Sequence, residues 1–316
     1  MEDLSFSNLY ISVIVPVYNY NRRIGKLLKS LIDQNFNRNQ YEIIIVDNGS
    51  TDGTVNTVKK WAVKVVLEHN YLCSPYSARN RGIERAKGNI IVLLDSSCIP
   101  KKNWLSNGIH CLENKKADIV GGNIVFRYYG KKTAGKIFDA ITNVKMKESI
   151  IDRNVAKAGN LFIRREVFNN VGLFPEGIRS GGDVRWTRSA TDAGFKLVYC
   201  KDASVWYPAK PLGKLIKKQW RVGLGQPSIW FEEGDKHYDL LLALKIFLKR
   251  LVFLSLIKSN KKGNPLINIF EVNELKKYRF RLLFIGFLIN TIMLLANYFG
   301  LFKLRSTQRY LITKEK

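Results

Sequence analysis

Two carboxylates stand where short apolar runs give way to turn-forming residues, and a third follows a pair of glycines. Asp47 closes the run Glu42 to Val46 and opens Asp47-Asn48-Gly49-Ser50, while Asp95 closes Ile90 to Leu94 and opens Asp95-Ser96-Ser97. A third run, Ile11 to Val15, ends at Pro16-Val17-Tyr18-Asn19. A carboxylate at a strand end can accept from a base N–H or from ribose hydroxyls, and a flat tyrosine edge can pack a ring. The combination suits a nucleotide. Gly181-Gly182-Asp183 precedes a helical pattern of Val184, Trp186, Ala190 and Ala193. Two glycines let the backbone approach a substrate closely, and the aspartate can either take a proton from that substrate or cap the helix.

The elements that must position these groups follow from patterning. Continuous Ile- and Val-rich runs separated by helical periodicity read as strands of a parallel sheet buried on both faces. Ligands of such sheets bind outside the carboxyl ends of the strands. Ile24, Leu27, Leu28, Leu31 and Ile32 recur at helical spacing and return the chain to the Asp47 strand. A helix from about Thr54 to Trp61, a strand Lys64 to Leu67 and a helix Ser77 to Ala86 lead into the Asp95 strand. Alternation of this kind predicts a layered, doubly wound α/β domain. From Trp104 onward the pattern is mixed: a helix to Leu112, a strand at Ile119 to Val120 and another across Asn123 to Phe126. Residues 130 to 157 read either as a mobile loop or as a helix carrying Ile137, Ile141 and Val144.

The chain has 316 residues and a formal charge of +26 at pH 7. That charge attracts polyanions of any kind: nucleic acid, anionic lipid or phosphorylated substrates. From Ala209 to Lys316 there are 21 Lys and Arg against 7 Asp and Glu, a net of +14, with +12 left for the rest. The surplus brackets hydrophobic runs, and with no recognisable nucleic-acid readout motif no nucleic-acid partner is expected. Cys73, Cys98, Cys111 and Cys200 lack paired-thiolate spacing, and no secretory signal opens the chain, which predicts a reducing, cytosolic setting. His69, His110 and His237 are scattered filler rather than ligands.

Val-Pro-Val-Tyr-Asn (15 to 19), Val-Asp-Asn-Gly-Ser-Thr-Asp-Gly-Thr (46 to 54), Ala-Arg-Asn-Arg-Gly (78 to 82) and Leu-Asp-Ser-Ser-Cys-Ile-Pro (94 to 100) occur in that order. Together they resemble the successive motifs of family 2 inverting glycosyltransferases of the GT-A fold. The resemblance continues through Ala158-Gly159-Asn160, Phe174-Pro175-Glu176 and Gly181-Gly182-Asp183, and so covers roughly residues 10 to 226. It implies a Rossmann-like layered domain with a mixed, mainly parallel sheet over residues 1–230. A nucleotide-binding half spans about 10–100 and an acceptor half about 101–230. It also implies a nucleoside-diphosphate sugar, most simply a UDP-sugar, as donor. Asp47 would lie against the uracil or ribose, with Pro16, Tyr18 and Asn19 lining the pocket and Arg79 and Asn80 reaching the nucleotide. Asp183 would be the general base, whereas Asp52 reads as turn chemistry and Arg81 and Arg85 as solvated surface. Gln219 to Gln226 loosely resembles a segment that closes over the donor; Arg221 there either contacts phosphate or faces solvent on an amphipathic helix.

Two departures concern the metal. The resemblance implies an Asp-x-Asp motif holding Mg²⁺ or Mn²⁺ against the diphosphate, but here the motif reads Asp95-Ser96-Ser97, and Ser97 offers only a neutral hydroxyl in place of the second carboxylate. A lost carboxylate about 4 Å from a dication removes several kcal/mol of attraction even at an effective dielectric near 20. Where many relatives carry a metal-binding histidine before proline, this chain has Tyr207. Two readings stay open. In one the metal site is weak and Lys210 or Arg221 shares the work on the diphosphate; in the other Asp95, diphosphate oxygens and waters hold the ion.

The last third is expected to be a helical, basic and apolar region over 231–316. Leu282 to Phe302 is a run of 21 residues without a formal charge, long enough to span about 30 Å of hydrocarbon. Lys276, Lys277, Arg279 and Arg281 precede it and Lys303, Arg305 and Arg309 follow, so the positive-inside rule gives no orientation. A second stretch, Leu240 to Ile257, has the profile of an interfacial helix seeking anionic lipid. A helical subdomain packing on itself accounts for the same pattern. The expectation is an enzyme on the cytoplasmic face of the membrane, acting on a glycan or lipid-linked acceptor. A catalytically silent relative that binds sugar nucleotides or scaffolds a polysaccharide assembly complex is the alternative.

Overall fold

The computed structural model describes residues 9–232, 244–245, 247–248 and 272–314. The expected interfacial stretch Leu240 to Ile257 therefore lies almost wholly outside the described residues. Backbone contacts divide the chain into two compact units: one holds the residues up to Arg127 with Val144–Pro208, the other Tyr128–Asn143 with the residues from Ala209 onward.

The first unit is built on one eight-stranded sheet. Its strands are β1 (Ile11–Val17), β2 (Tyr41–Asp47), β3 (Lys64–Leu67), β4 (Ile90–Leu94), β5 (Ile99–Pro100), β6 (Ile119–Arg127), β7 (Asn160–Arg164) and β8 (Leu197–Pro208). The order is β3-β2-β1-β4-β7-β6-β8-β5. The β3-β2-β1-β4 half is parallel, β7 runs antiparallel to both β4 and β6, and β8 runs parallel to β6. Helices in chain order are α1 (Asn21–Ile32), α2 (Thr54–Val58), α3 (Pro75–Arg85), α4 (Trp104–Asn114), α5 (Ala134–Thr142), α6 (Met146–Arg153), α7 (Arg165–Val171), α8 (Gly182–Asp192), α9 (Leu212–Glu232) and α10 (Val272–Lys314).

Alternate residues of each strand point to opposite faces, and both faces are apolar. On one, Ile11, Val13 and Val15 pack with Leu27, Leu28 and Leu31 of α1 and Ile109 and Leu112 of α4. On the other, Ile14, Ile44, Ile91 and Leu93 pack with Ile83 of α3, Phe168 of α7 and Trp186 of α8. Because β1 pairs in parallel with both β2 and β4, the carboxyl ends of the three strands lie on one edge of the sheet. Val17 is in register with Asp47, and neighbouring strands lie about 4.8 Å apart, so the ends of β2 and β4 flank that of β1 within about 10 Å.

Strand limits for β3 and β4 match the periodicity; other elements differ for identifiable reasons. The two short strands expected at 119–120 and 123–126 are one strand, β6, with a register shift between Gly122 and Asn123. Residues 130 to 157 form neither a loop nor one helix. They form α5 and α6, separated at Val144, whose φ of 44° breaks helical geometry.

The second unit also begins earlier than residue 231. Ile137, Phe138 and Ile141 of α5 cluster with Leu215 of α9 and with Leu282, Ile285 and Ile289 of α10. Burial of these apolar faces against one another draws 128–143 and 209–232 into the C-terminal unit. Buried Asp139 accepts from the Lys210 backbone N–H at 2.8 Å and from Asn143 Nδ2 at 2.7 Å.

Candidate active site

The amino end of α3 organises the sheet edge. Pro75 occupies its first turn and the Ser74 hydroxyl accepts from the Ser77 N–H, a normal helix start. Asn48, following β2, donates Nδ2 to the Ser74 carbonyl at 2.6 Å and accepts the Cys73 N–H at 2.7 Å. Ser74 Oγ donates to the Ile178 carbonyl at 2.7 Å, and the Gly177 N–H donates to Ser77 Oγ at 3.0 Å. One helix start is thereby laced both to the Asp47 turn and to the loop that leads into Asp183.

Asp47 is only 5% exposed. Its Oδ2 accepts the backbone N–H groups of Gly49 (3.2 Å) and Ser50 (3.0 Å), while Oδ1 has no partner among the described residues. A buried carboxylate oxygen without a donor is costly, and a ligand N–H or O–H would satisfy it. Beside it Asn19 takes a left-handed φ of 48°. It is held by its N–H to Ser50 Oγ and by its Oδ1 accepting the Thr51 N–H, both at 2.8 Å. Tyr18 is exposed at this edge, and Pro16 is half-buried within β1. A hydrogen bond with Cys73 pushes the Tyr18 hydroxyl above its ordinary pKa. Asp52 behaves as turn chemistry: it accepts from the Asn21 and Thr54 N–H groups, and its hydrogen bond with the Thr54 hydroxyl holds its carboxyl low.

Asp95 is held differently. Its Oδ1 pairs with Arg79 Nη2 at 2.6 Å; the guanidinium is 4% exposed and the carboxylate 40%. Arg79 Nε is buried without a partner among the described residues. The other carboxylate oxygen faces Gly159, where an added Cβ would stand 3.1 Å from it. The Arg79 guanidinium also lies 5.5 Å from the Tyr76 ring centroid, within cation–π range. Tyr76 in turn donates its hydroxyl to Asp183 Oδ1 at 3.1 Å. Asp95, Arg79, Tyr76 and Asp183 thus form one continuous chain of contacts.

The helix-cap role open to Asp183 falls to Gly181, which has a left-handed φ of 83°. Asp183 lies inside the first turn of α8, where a carboxylate is favoured by the helix dipole. Oδ1 also accepts the Val184 N–H at 3.0 Å, and Oδ2 accepts the Ala158 N–H at 3.1 Å. Burial lowers the Lys157 ammonium pKa, and Asp183 is the main opposing influence. Trp186 fixes α8 from behind, stacked on Phe168 at 4.5 Å and donating to the Gly172 carbonyl.

Other expected residues have scaffold contacts. Asn80 is fully buried: Nδ2 donates to the Phe174 carbonyl (2.8 Å) and Glu176 Oε1 (3.1 Å), and Oδ1 accepts the Phe174 N–H (3.0 Å). Both polar ends of its side chain are thus engaged within the protein. Arg81 is not solvated surface. It binds Glu68 at 3.0 Å, Glu84 at 2.6 Å and Glu176 at 3.2 Å. Burial pushes Glu68 up, yet the Tyr71 and Asn70 N–H groups and Arg81 outweigh it and hold the carboxyl below its ordinary pKa. Tyr207 is packed in the core, 5.4 Å from Phe126 edge to face. Ser97 is half-buried two residues after Asp95, and Arg221 is exposed on α9 of the second unit. Among the described residues no three His, Cys, Asp or Glu side chains gather as metal ligands. A divalent ion near Asp95 would find one free carboxylate oxygen and the Ser97 hydroxyl, a fit that leaves the remaining positions to diphosphate oxygens and water.

Tyr76 and Lys157 were not foreseen. The first lies 107 residues from Asp183 in sequence, so no local pattern links them; its position at the start of a strongly signalled helix beside Arg79 is the only available hint.

Comparison with known proteins identifies the family and the fold. The chain is 43% identical over 226 residues to glycosyltransferase AglE of Haloferax volcanii, a match covering 70% of this chain and 74% of that protein. It is 26% identical over 214 residues to the poly(ribitol-phosphate) beta-N-acetylglucosaminyltransferase TarS of Staphylococcus aureus, covering 64% of this chain but 36% of TarS. Among solved structures, mannosyltransferase PcManGT from Pyrobaculum calidifontis, in complex with GDP-Man and Mn²⁺, superposes with a TM-score of 0.64 at 18% identity. That superposition covers 93% of this chain and 88% of PcManGT, and it establishes the fold as GT-A. Residues 12–172 match the model for glycosyl transferase family 2, and with the AglE match this shows that the chain is a glycosyltransferase belonging to that family.

Proposed function

We propose that the protein transfers a sugar with inversion from a nucleoside diphosphate, most simply UDP, to a hydroxyl of a glycan or lipid-linked acceptor, on the cytoplasmic face of a membrane. The observation that supports this reading is the Asp95–Arg79–Tyr76–Asp183 chain of contacts, which links the carboxylate proposed to serve the diphosphate to the one proposed as general base. The relatives support a nucleotide-sugar donor: PcManGT holds GDP-Man, and TarS is named for a transfer onto poly(ribitol-phosphate).

In this mechanism Asp47 Oδ1 accepts from the base or ribose, with Tyr18, Asn19 and Pro16 forming the pocket wall. Arg79 neutralises Asp95 and, buried beside the Pro75 carbonyl, adds positive charge behind the proposed diphosphate position. Asp183 takes the proton of the acceptor hydroxyl as that oxygen forms its bond to the anomeric carbon. The bond to the diphosphate breaks on the opposite face and the nucleoside diphosphate departs with the electron pair. Mg²⁺ or Mn²⁺, when bound, would be held by Asp95 and Ser97 and would neutralise charge on the leaving diphosphate.

A positioned base contributes about 10² to 10⁴ in rate. Asp183→Asn is therefore expected to abolish transfer in a radiolabelled-donor assay while calorimetry shows sugar-nucleotide binding intact. Normal transfer by that variant would overturn the assignment.

A further inference from the structure

The two sides of α10 are chemically similar but differently occupied. Leu282, Ile285, Ile289, Met293 and Ala296 are buried. Gly223 of α9 meets Ala296 and Met293, and Gly300 of α10 meets Leu224 and Pro227, so the helices touch backbone to backbone where glycine leaves room. Phe280, Phe284 and Phe287, and eight residues further on Leu295, Tyr298 and Phe302, stand along the other side, all exposed, Phe280 by 83%. A stripe of this size on a soluble surface marks a binding face.

By length and composition Lys277–Leu304 is able to cross a membrane. Its neighbour argues against that placement. The contacts run from Leu215 beside Ile285 and Ile289 to Pro227 beside Gly300, so α9 lies alongside α10 in the same direction. It carries Lys214, Lys217, Lys218 and Arg221 along the stretch beside the first half of the apolar run. If α10 crossed the bilayer, those cations would be carried into hydrocarbon, where charge is strongly disfavoured. With α10 lying flat, the aromatic stripe reaches the boundary between headgroups and acyl chains, and the cations remain in water or among anionic headgroups. Lys277, Arg281 and Lys303 stand exposed at the two ends of the stripe and complement such headgroups.

We infer that α10 lies along an anionic membrane surface, its Phe280–Phe302 stripe inserted to headgroup depth, rather than crossing the bilayer. This rests on the membrane reading proposed above and specifies its geometry.

The test uses the full chain. Membranes from cells expressing it are washed with alkaline carbonate, and the purified protein is sedimented with phosphatidylcholine vesicles with or without phosphatidylglycerol. Release by carbonate, binding that requires phosphatidylglycerol, and about tenfold weaker binding by the Phe284→Ser/Phe287→Ser variant are expected. Because both side chains are exposed, that variant should retain its thermal stabilisation by UDP-sugars, which controls for folding. Retention through carbonate would overturn the flat placement while leaving membrane attachment standing. Equal binding by variant and wild type would remove the stripe from the interface. Failure to bind either vesicle would discard both the geometry and the membrane reading.

Discussion

Asp47 and Asp95 end neighbouring regions of one sheet edge and are held by opposite means. Asp47 is buried and supported by uncharged backbone N–H groups, with one oxygen left without a donor among the described residues. Asp95 is half open to solvent and already paired with a buried guanidinium. The first arrangement leaves an acceptor oxygen in place for a neutral donor group, such as a base N–H or a hydroxyl. The second cancels most of its charge before any ligand arrives, so its contribution lies in orienting Arg79 and in the single oxygen that remains. Similar residues at similar strand ends thus suit different parts of one ligand.

Substitutions separate the two. Asp47→Asn can keep its turn, since an amide oxygen still accepts from Gly49 and Ser50, but it places an N–H where the acceptor stood. A hydrogen bond to a charged group contributes about 1.5–3 kcal/mol, so sugar-nucleotide affinity measured by calorimetry should fall roughly 10- to 100-fold with little loss of stability. Equal affinity would show that Asp47 serves the turn alone. Arg79→Lys keeps charge but loses the planar fork. It is expected to weaken donor affinity about tenfold, and to make thermal stabilisation by UDP-sugars more dependent on Mn²⁺ as Asp95 gains a free oxygen. If Mn²⁺ has no added effect, the guanidinium does not limit access to Asp95.

Glu68 lies on the Asp47 side, its N–H donating to the Asp47 carbonyl at 2.8 Å. Its carboxyl pKa is lowered in the fold from the ordinary 4.5. A depressed carboxyl adds stability that is present above 4.5 and lost as pH falls through the lower folded value. Glu68→Gln should cost about 1–2 kcal/mol in urea unfolding at neutral pH, and the gap to wild type should close on acidification through that window. On the Asp95 side, Tyr76→Phe removes one of the side-chain or backbone donors to Asp183. A drop in kcat of about fivefold, with the donor KM unchanged, is expected for a positioning residue contributing about 1 kcal/mol. A change in KM alone would assign the tyrosine to binding.

The strand ends were readable because Ile- and Val-rich runs stop abruptly at Asp47 and Asp95, and burial on both faces leaves a continuous apolar signal. Past Trp104 that signal weakens. β7 begins with the buried Asn160, which accepts from Trp104 Nε1 and donates to the Asn123 and Ala203 carbonyls. A polar residue there interrupts any periodicity. β8 carries Cys200-Lys201-Asp202 in its middle, opposite the shift in β6, and so it does not read as a strand. Arg81 looked solvated because Glu84 alone is near it in sequence; Glu68 and Glu176 reach it only through the fold. The same limit hid Tyr76, since Asp183 joins it by tertiary packing.

Gly159 has a practical consequence. Its missing side chain leaves the free oxygen of Asp95 uncovered, and a single methyl there would approach within 3.1 Å of that atom without altering any charge. The position is a steric dial: graded bulk at 159 narrows the aperture over one oxygen and leaves the Arg79 pairing intact, so crowding and electrostatics become separately adjustable in the same pocket.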